Sequence, residues 1–378
     1  MMHDIIIPFE EELKKNSELK KTDVEQLQDW CRKQPHLPKI SDSELALFLH
    51  SNCYMIEPTK VTIDTFYSIR THAPEIFSNR DVRSKELQNI FKAICIIPLK
   101  GFTREGYTVI MGRLLDPNPT NYVYNDHLKY LCMCMDLWMY ENGTTNGHVI
   151  LLDMTGVSFG HATRLNATSL KKFLNYLQDG LPVRLKAMHF ININHVMEMI
   201  MNIMKPMMKH DLLGKLHLHS TMESVDKFIP LENLPNELGG KAGTLSELHR
   251  AQMKKLEDCR DWFLEEERRA RVDETKRPDK RKSEREHLLE HCFCSTQCFV
   301  LSVLYSVHLV HTALGALYPG ALPLERPSAF KPGALTATAL RALTAATLTP
   351  KALTPTALTP GALTPGALTP GATWHLAP

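Results

Sequence analysis

The chain has 378 residues, 23% of them charged, and a formal net charge of +2. That length accommodates two or three domains, and a charge so near zero excludes a global attraction to nucleic acid or membrane, so any basic surface is local. Nine scattered cysteines, an odd number, and a start "MMHDIIIPFEEELKKN" without a secretory apolar core favour free thiols in a reducing cytosol over a disulfide framework.

Residues from about 10 to 80 read as helices. "TDVEQLQDWCRKQ" is a short amphipathic helix ended by "PHLP". In "ISDSELALFLHSN", Ser41 can cap the backbone while Glu44 reaches back, and Ile40 can staple onto Leu45. "EPTKVTIDTFYSIRTHAPEIF" starts near Pro58 and sets Val61, Phe66 and Ile69 along one side. This part is expected to be a small helical subdomain without chemistry.

From about residue 90 the pattern turns to α/β. "YTVIMGRLL" is a short strand, followed by the turn "DPNPTN" and a helix through "DHLKYLCMCMDLWMYE". "GHVILLD" is a continuous apolar run ending at Asp153, as a strand buried on both faces requires. "NATSLKKFLNYLQDG" is a helix closed by Gly180, and the strand "VRLKAMHFININ", a methionine-rich helix and the strand "KLHLH" follow. Such alternation predicts a mainly parallel sheet flanked by helices, with right-handed crossovers. "TMESVDKFIPLENLPNELGG" closes the domain with a short helix and a Pro- and Gly-punctuated loop.

The methionine-rich helix is unusual. Glu198, Asn202, Lys205 and Lys209 make one polar stripe at helical spacing. Val196, Met197, Met199, Ile200, Met201, Ile203, Met204, Met207 and Met208 fill nearly everything else. That is more apolar surface than packing on a single core needs. Arg184 and Lys186 share one strand face just before it, and Lys215 stands just after. One reading is a core helix whose methionines fill gaps. The other is a movable apolar flap with a cationic rim, because methionine repacks around varied ligands.

The stretch from about 244 to 290 is densely charged. Leu245, Leu248, Met253, Leu256, Trp262 and Phe263 would dock its first half, while the second half reads as a solvated helix fraying into a tail. Its interleaved acids argue against nucleic acid. Farther on, prolines at 350, 355, 360, 365 and 370 punctuate a five-residue repeat that excludes helix interior and central strand. A disordered tail is expected there, and a translated non-coding repeat would look the same. The apolar run 298–318 approaches bilayer-spanning length, but its two histidines and its position beside the repeat argue against a transmembrane anchor. His291, Cys292, Cys294 and Cys298 lack the paired two-residue gap of common zinc sites.

No glycine fingerprint for a dinucleotide, no Gly-Lys-Ser/Thr phosphate loop and no serine elbow is present. His161, His189, His195, His217 and His219 read as packed, hydrogen-bonded side chains, although His217 and His219 share a strand face. Neither catalysis, cofactor nor metal is expected.

Taken in order, "WCRKQPHLP", "LALFLHSN", "VILLDMTGVSFGH" with Asp153, Gly156 and His161, "LPVRLKAMHFIN", "IMKPMMK", "KLHLHS" and "LPNELGG" carry a resemblance. From about 20 to 245 the chain resembles the CRAL-TRIO lipid-binding family, close to its alpha-tocopherol transfer and retinaldehyde-binding branch, especially the insect members. The resemblance implies an N-terminal helical lobe at 1–85 on an α/β lipid-binding lobe at 86–243, while charge and composition set off a helical extension at 244–288 and a low-complexity tail at 289–378. It makes the helix from about His195 to Lys209 a mobile gate over an apolar ligand cavity. The cavity and gate residues would be Val149, Leu151, Phe159, Leu170, Phe173, Leu174, Leu177, Phe190, Ile193, Met197, Ile200, Met201, Met204 and Met208.

In that branch, basic residues beside the gate hold a phosphatidylinositol bisphosphate headgroup, and the matching positions fall on Arg184, Lys186 and Lys215. Where the family has arginine in "FLRAR" this chain has "FLHSN", with His50 and Asn52, and a further basic position falls on Asp211. The implied activity is cytoplasmic binding and transfer of a hydrophobic tocopherol-, retinoid- or related lipid-like molecule. The implied partners are that lipid and, peripherally and transiently, phosphoinositide-containing membranes, with no nucleic acid. The alternative is a lipid-sensing scaffold that recruits partners through its charged C-terminal helix.

Overall fold

A computed structural model describes residues 5–278. The repeat tail, the apolar run 298–318 and the histidine–cysteine cluster at 291–298 lie outside the described residues. The first helices are α1 (Phe9–Lys15), α2 (Lys21–Arg32), α3 (Asp42–Ser51), α4 (Ile56–His72), α5 (Pro74–Phe77) and α6 (Lys85–Ala93). The capping box of α3 is present: Glu44 N–H donates to Ser41 Oγ at 3.3 Å, and Ser41 N–H donates to the Glu44 carboxylate at 2.9 Å. Pro58 falls in the first turn of α4, where its missing N–H has no intrahelical role. The buried side of α4 is Thr59, Ile63, Phe66, Tyr67 and Arg70. Val61, expected on that side, is 58% exposed.

The five strands β1 (Ile94–Phe102), β2 (Thr108–Leu114), β3 (His148–Asp153), β4 (Leu185–Ile191) and β5 (Leu216–Leu218) lie in the order β1-β2-β3-β4-β5. β1 and β2 are antiparallel, and the remaining three pairings are parallel. Crossovers carry α7 (Tyr124–Asn142), then α8 (Phe159–Ala162) and α9 (Ala167–Asn175), then α10 (Val196–Met204) and α11 (His210–Leu213). After β5 come α12 (Met222–Asp226), α13 (Leu245–Asp258) and α14 (Arg260–Arg269). α9 runs on into a π-turn, Tyr176–Gly180, whose last residue lies against the Phe66 backbone. β1 was not read from the sequence, because Pro98 interrupts its pattern; proline is tolerated there because β1 is an edge strand.

Alternation sorts the strands into two faces. Ile96, Ile110, Ile150, Met188 and Phe190 share one core with the N-terminal helices, α7, α9 and α10. Ile97, Val109, Val149, Leu151, Ala187 and Ile191 pack on the other face with Val225, Ile229, Leu234 and Leu245. The N-terminal helices therefore share a core with the sheet rather than closing on themselves.

The reading of the later charged segment needs correction. Its residues 264–278 are docked, not solvated. Glu266 of α14 is 2% exposed and meets two fully buried arginines, Arg70 of α4 and Arg80. Both arginines also meet buried Asp136 of α7. Burial opposes the Arg70 charge, but Asp136 and Glu266 outweigh it and hold its pKa well above the usual value. Farther on, Arg277 donates to Asp64 at 2.8 Å and to Ser68 Oγ at 2.7 Å, laying residues 270–277 along α4.

Asp136→Ala leaves two buried guanidinium groups sharing one carboxylate, and should cost about 3–5 kcal/mol in urea unfolding. A loss under about 1 kcal/mol, the range of exposed pairs, would show that these charges are solvated.

Candidate functional site

The methionine-rich helix α10 follows β4 through a turn in which Asn192 has φ +50, a left-handed conformation that asparagine tolerates. Polar side chains fasten this entry. Asn192 Nδ2 donates to the buried Asp153 carboxylate at 2.9 Å, which also accepts from Arg113 at 2.9 Å and from Thr155 N at 3.0 Å. Asn194 Nδ2 donates to Val157 O at 2.8 Å, and its Oδ1 accepts from Val196 N at 2.9 Å.

The exit is fastened as well. Pro206 has no N–H for the carbonyl of Asn202, so α10 stops at Met204 and a 3₁₀ turn, Lys205–Met207, follows. Beyond it, Lys209 N donates to Gln178 Oε1 at 2.6 Å, and Lys209 Nζ meets Asp179 at 2.5 Å. Gln178 and Asp179 both stand on the π-turn after α9. Between these clasps, among the described residues, no side-chain hydrogen bond or ion pair ties residues 197–204 to another element. Val196, Met197, Met201 and Ile203 are buried, and Met199, Ile200 and Met204 are half-buried on the same core. Glu198, Asn202, Lys205 and Lys209 form the exposed stripe that the sequence spacing requires.

Leu170, Phe173, Leu174, Leu177, Phe190, Ile193, Met197, Ile200, Met201, Met204 and Met208 belong to one apolar cluster, built from α9, β4 and the α10 segment. Three expected members do not join them. Val149 and Leu151 are odd positions of β3 and point to the opposite face, and Phe159 is 43% exposed at the start of α8. The α10 side of the sheet is carried instead by Ile150, paired in register with Met188. Strict alternation from Phe190 would have found Met188.

At the N-terminal end of β4, Arg184 Nε donates to His50 O at 2.8 Å, and its guanidinium lies 5.8 Å from the Tyr54 ring centre. Lys186 is exposed, with its ammonium 5.5 Å from the Tyr107 ring. The His50 imidazole is pushed down to about 4 by burial and by the charges of Arg184, Lys15 and Lys186, so it is neutral at physiological pH. Lys15, at the end of α1, thus joins Arg184 and Lys186 around His50, with its ammonium on Asn142 O at 2.8 Å. No local sequence signal links α1 to β4, and Lys15 was missed. Lys215 is held in an ion pair with Asp211 at 2.5 Å.

The histidines divide. His189 and His219 are hydrogen-bonded at 2.8 Å with His217 stacked on His189, and His161 meets Ser158 Oγ at 2.9 Å. His195 is exposed instead of packed. Among the described residues no three metal-binding side chains converge, and no helix is long and apolar enough to cross a membrane.

The sequence profile of the CRAL/TRIO domain matches residues 94–240, and that of the Pinta-like, UBA domain matches residues 16–87. The alpha-tocopherol transfer protein-like protein of Mus musculus is 30% identical over 249 residues, covering 65% of this chain and 72% of its own length. Clavesin-1 of Mus musculus is 20% identical over 233 residues, 61% of this chain and 66% of its own. A crystal structure of Sfh5 matches at 16% identity over 61% of this chain and 92% of that one, with a TM-score of 0.39, too loose a likeness to carry an argument. Both named relatives are mammalian, and the insect affinity read from the motifs gains no support from them.

Acid should expose the buried imidazoles. His148, packed edge-on against Trp138 at 4.8 Å, is pushed down to about 3, chiefly by burial and then by His50 and Lys15. Below about pH 6.5 the unfolded chain takes up a proton that the folded His148 refuses, so stability falls as pH drops from about 6.5 toward about 3. The slope from this residue is up to about 1.4 kcal/mol per pH unit. His148→Gln should flatten the decline of melting temperature between pH 6.5 and pH 4 relative to the parent chain; an unchanged slope would mean that His148 is solvated.

Proposed function

Because this chain belongs to the CRAL/TRIO family, we propose that it is a cytosolic carrier that binds a hydrophobic small molecule and transfers it between membranes. The ligand is of tocopherol-, retinoid- or related lipid-like type, and α10 is the gate, opening at phosphoinositide-containing membranes. The observation that carries this reading is a methionine-rich helix fastened at both ends by polar side chains and, between them, held by soft apolar contacts.

The physics favours a carrier. Each buried methylene is worth about 0.8 kcal/mol relative to water, so a long apolar tail cannot cross the cytosol alone at a useful rate. Bilayer and protein interior are similarly apolar, which leaves exchange between them near thermoneutral. The barrier is then the lid. A methionine side chain can trade contacts with ligand for contacts with lipid without a fixed geometry.

Arg184 and Lys186, with Lys15 beside them, supply the cationic rim. Each lysine or arginine near an anionic surface contributes about 1 kcal/mol, and the headgroup favours the open gate only by binding that state better. Neutral His50 and the Asp211-paired Lys215 make this rim weaker than the resemblance implies.

Mass spectrometry of the purified chain should find a copurified apolar lipid, replaceable from liposomes. A chain that carries none and takes none up would sink the proposal. Arg184→Glu with Lys186→Glu should weaken cosedimentation with phosphoinositide liposomes while leaving ligand capacity intact; unchanged cosedimentation would remove the rim from the account.

A further inference from the structure

Away from the gate, a cavity of about 660 Å³ opens between α6 and α13. Its floor is apolar, formed by Val82, Phe91, Leu115 and Met253. Val82 and Phe91 are buried in the main core, whereas Leu115 is 40% exposed and Met253, packed partly on that core, is only partly exposed. Leu115 and Met253 therefore present apolar surface to water beside one another. On α13 the lining positions 249, 250, 253, 254 and 257 recur along one face for two turns, a groove wall of about 12 Å at 1.5 Å per residue.

The rim is basic. Lys92, Arg250 and Lys254 stand around the opening. The one acid in the lining, Glu257, is already engaged by Arg83 Nε at 2.6 Å, and Lys254 is paired with Asp258 at 2.6 Å. Lys92 and Arg250 hold no ion pair among the described residues, and although Glu247 one turn back on α13 feels the Arg250 charge, basic groups outnumber the single acid in the lining. In its wall, His249 Nε2 donates to Phe91 O at 2.9 Å, which fixes the tautomer. Its Nδ1 is left as a buried acceptor without a donor.

We propose that this groove docks an acidic amphipathic helix of a partner protein, with apolar anchors on Leu115 and Met253 and carboxylates facing Lys92 and Arg250. Two helix walls one or two turns long suit a third helix presenting residues at i, i+3 or i+4, and i+7. A lipid tail in a groove open along its length would keep one side in water and lose much of its burial energy. A second copy of this chain, pairing isologously, would set the same cations against each other. The proposal adds protein recruitment to the carrier reading and does not depend on it.

The test selects random peptides of roughly sixteen residues, long enough for four helical turns, on the full chain. Counter-selection uses the chain carrying Arg250→Glu and Lys254→Glu, two exposed positions, with folding checked by circular dichroism. Surviving sequences should be rich in Glu and Asp with apolar residues at helical spacing. Their synthetic copies should bind at least about tenfold more weakly to that variant and to Met253→Glu. Survivors without acidic excess, or none at all, would overturn the proposal. So would loss of sedimentation with phosphatidylcholine–phosphatidylserine vesicles in the double variant, which would make the groove a membrane face. Dimerisation abolished by Met253→Glu would overturn it too, making the occupant a second copy.

Discussion

Two arginines and two carboxylates at the centre of the helical layer set the terms for everything around them. Arg70, Arg80, Asp136 and Glu266 are withdrawn from water together, each guanidinium bridging both carboxylates. A buried charge without its partner is far more costly than a buried pair, so none of the four can leave alone. They join α4, the segment before α6, α7 and α14, and the Arg70 guanidinium also lies 4.4 Å from the Phe66 ring centre. The helical layer is thereby held together as a wall on the sheet face whose core also contains α10.

Against that wall, α10 is bound differently. Its clasps are at its ends, through Asp153 and Asn194 at entry and through Gln178 and Asp179 at exit. Its middle has only apolar contact, which is non-directional and is matched by a bilayer as well as by the core. A segment with few polar ties opens at lower free energy than its frame, which is the property the proposed lid requires. The proposed rim lies at the other end of β4. Arg184 and Lys186 lie near a neutral His50 where β4 begins, and Lys15 lies near it too, with its ammonium shared by Glu12 and the Asn142 carbonyl.

Much of this was legible in the sequence where the signal is local. The capping box at Ser41, the buried run of β3 and the polar stripe of α10 each depend on spacing within a few residues, and each is present. What failed depends on partners far along the chain. β1 was hidden because a proline inside an apolar run looks like a breaker until its edge position is known. Val149 and Leu151 were placed on the gate side because a strand buried on both faces shows no alternation in hydrophobicity, so its facing cannot be read. The ionic cluster draws on positions 70, 80, 136 and 266, and nothing near Glu266 marks it as buried; the surrounding charges made it look like a solvated helix. Lys15 joins the rim by the same kind of long-range closure. On α13, Met253 was read as a docking residue and does pack against the main core, while its remaining exposed part lines the groove.

The central claim of the proposal is that α10 moves as a lid while its frame stays closed. Hydrogen exchange followed by mass spectrometry measures it directly. On vesicles containing phosphoinositide, amides of residues 196–208 should exchange faster than in solution, while those of β3 and α7 keep their protection. Unchanged protection over 196–208, or a loss spread equally over α7 and the sheet, would contradict the account.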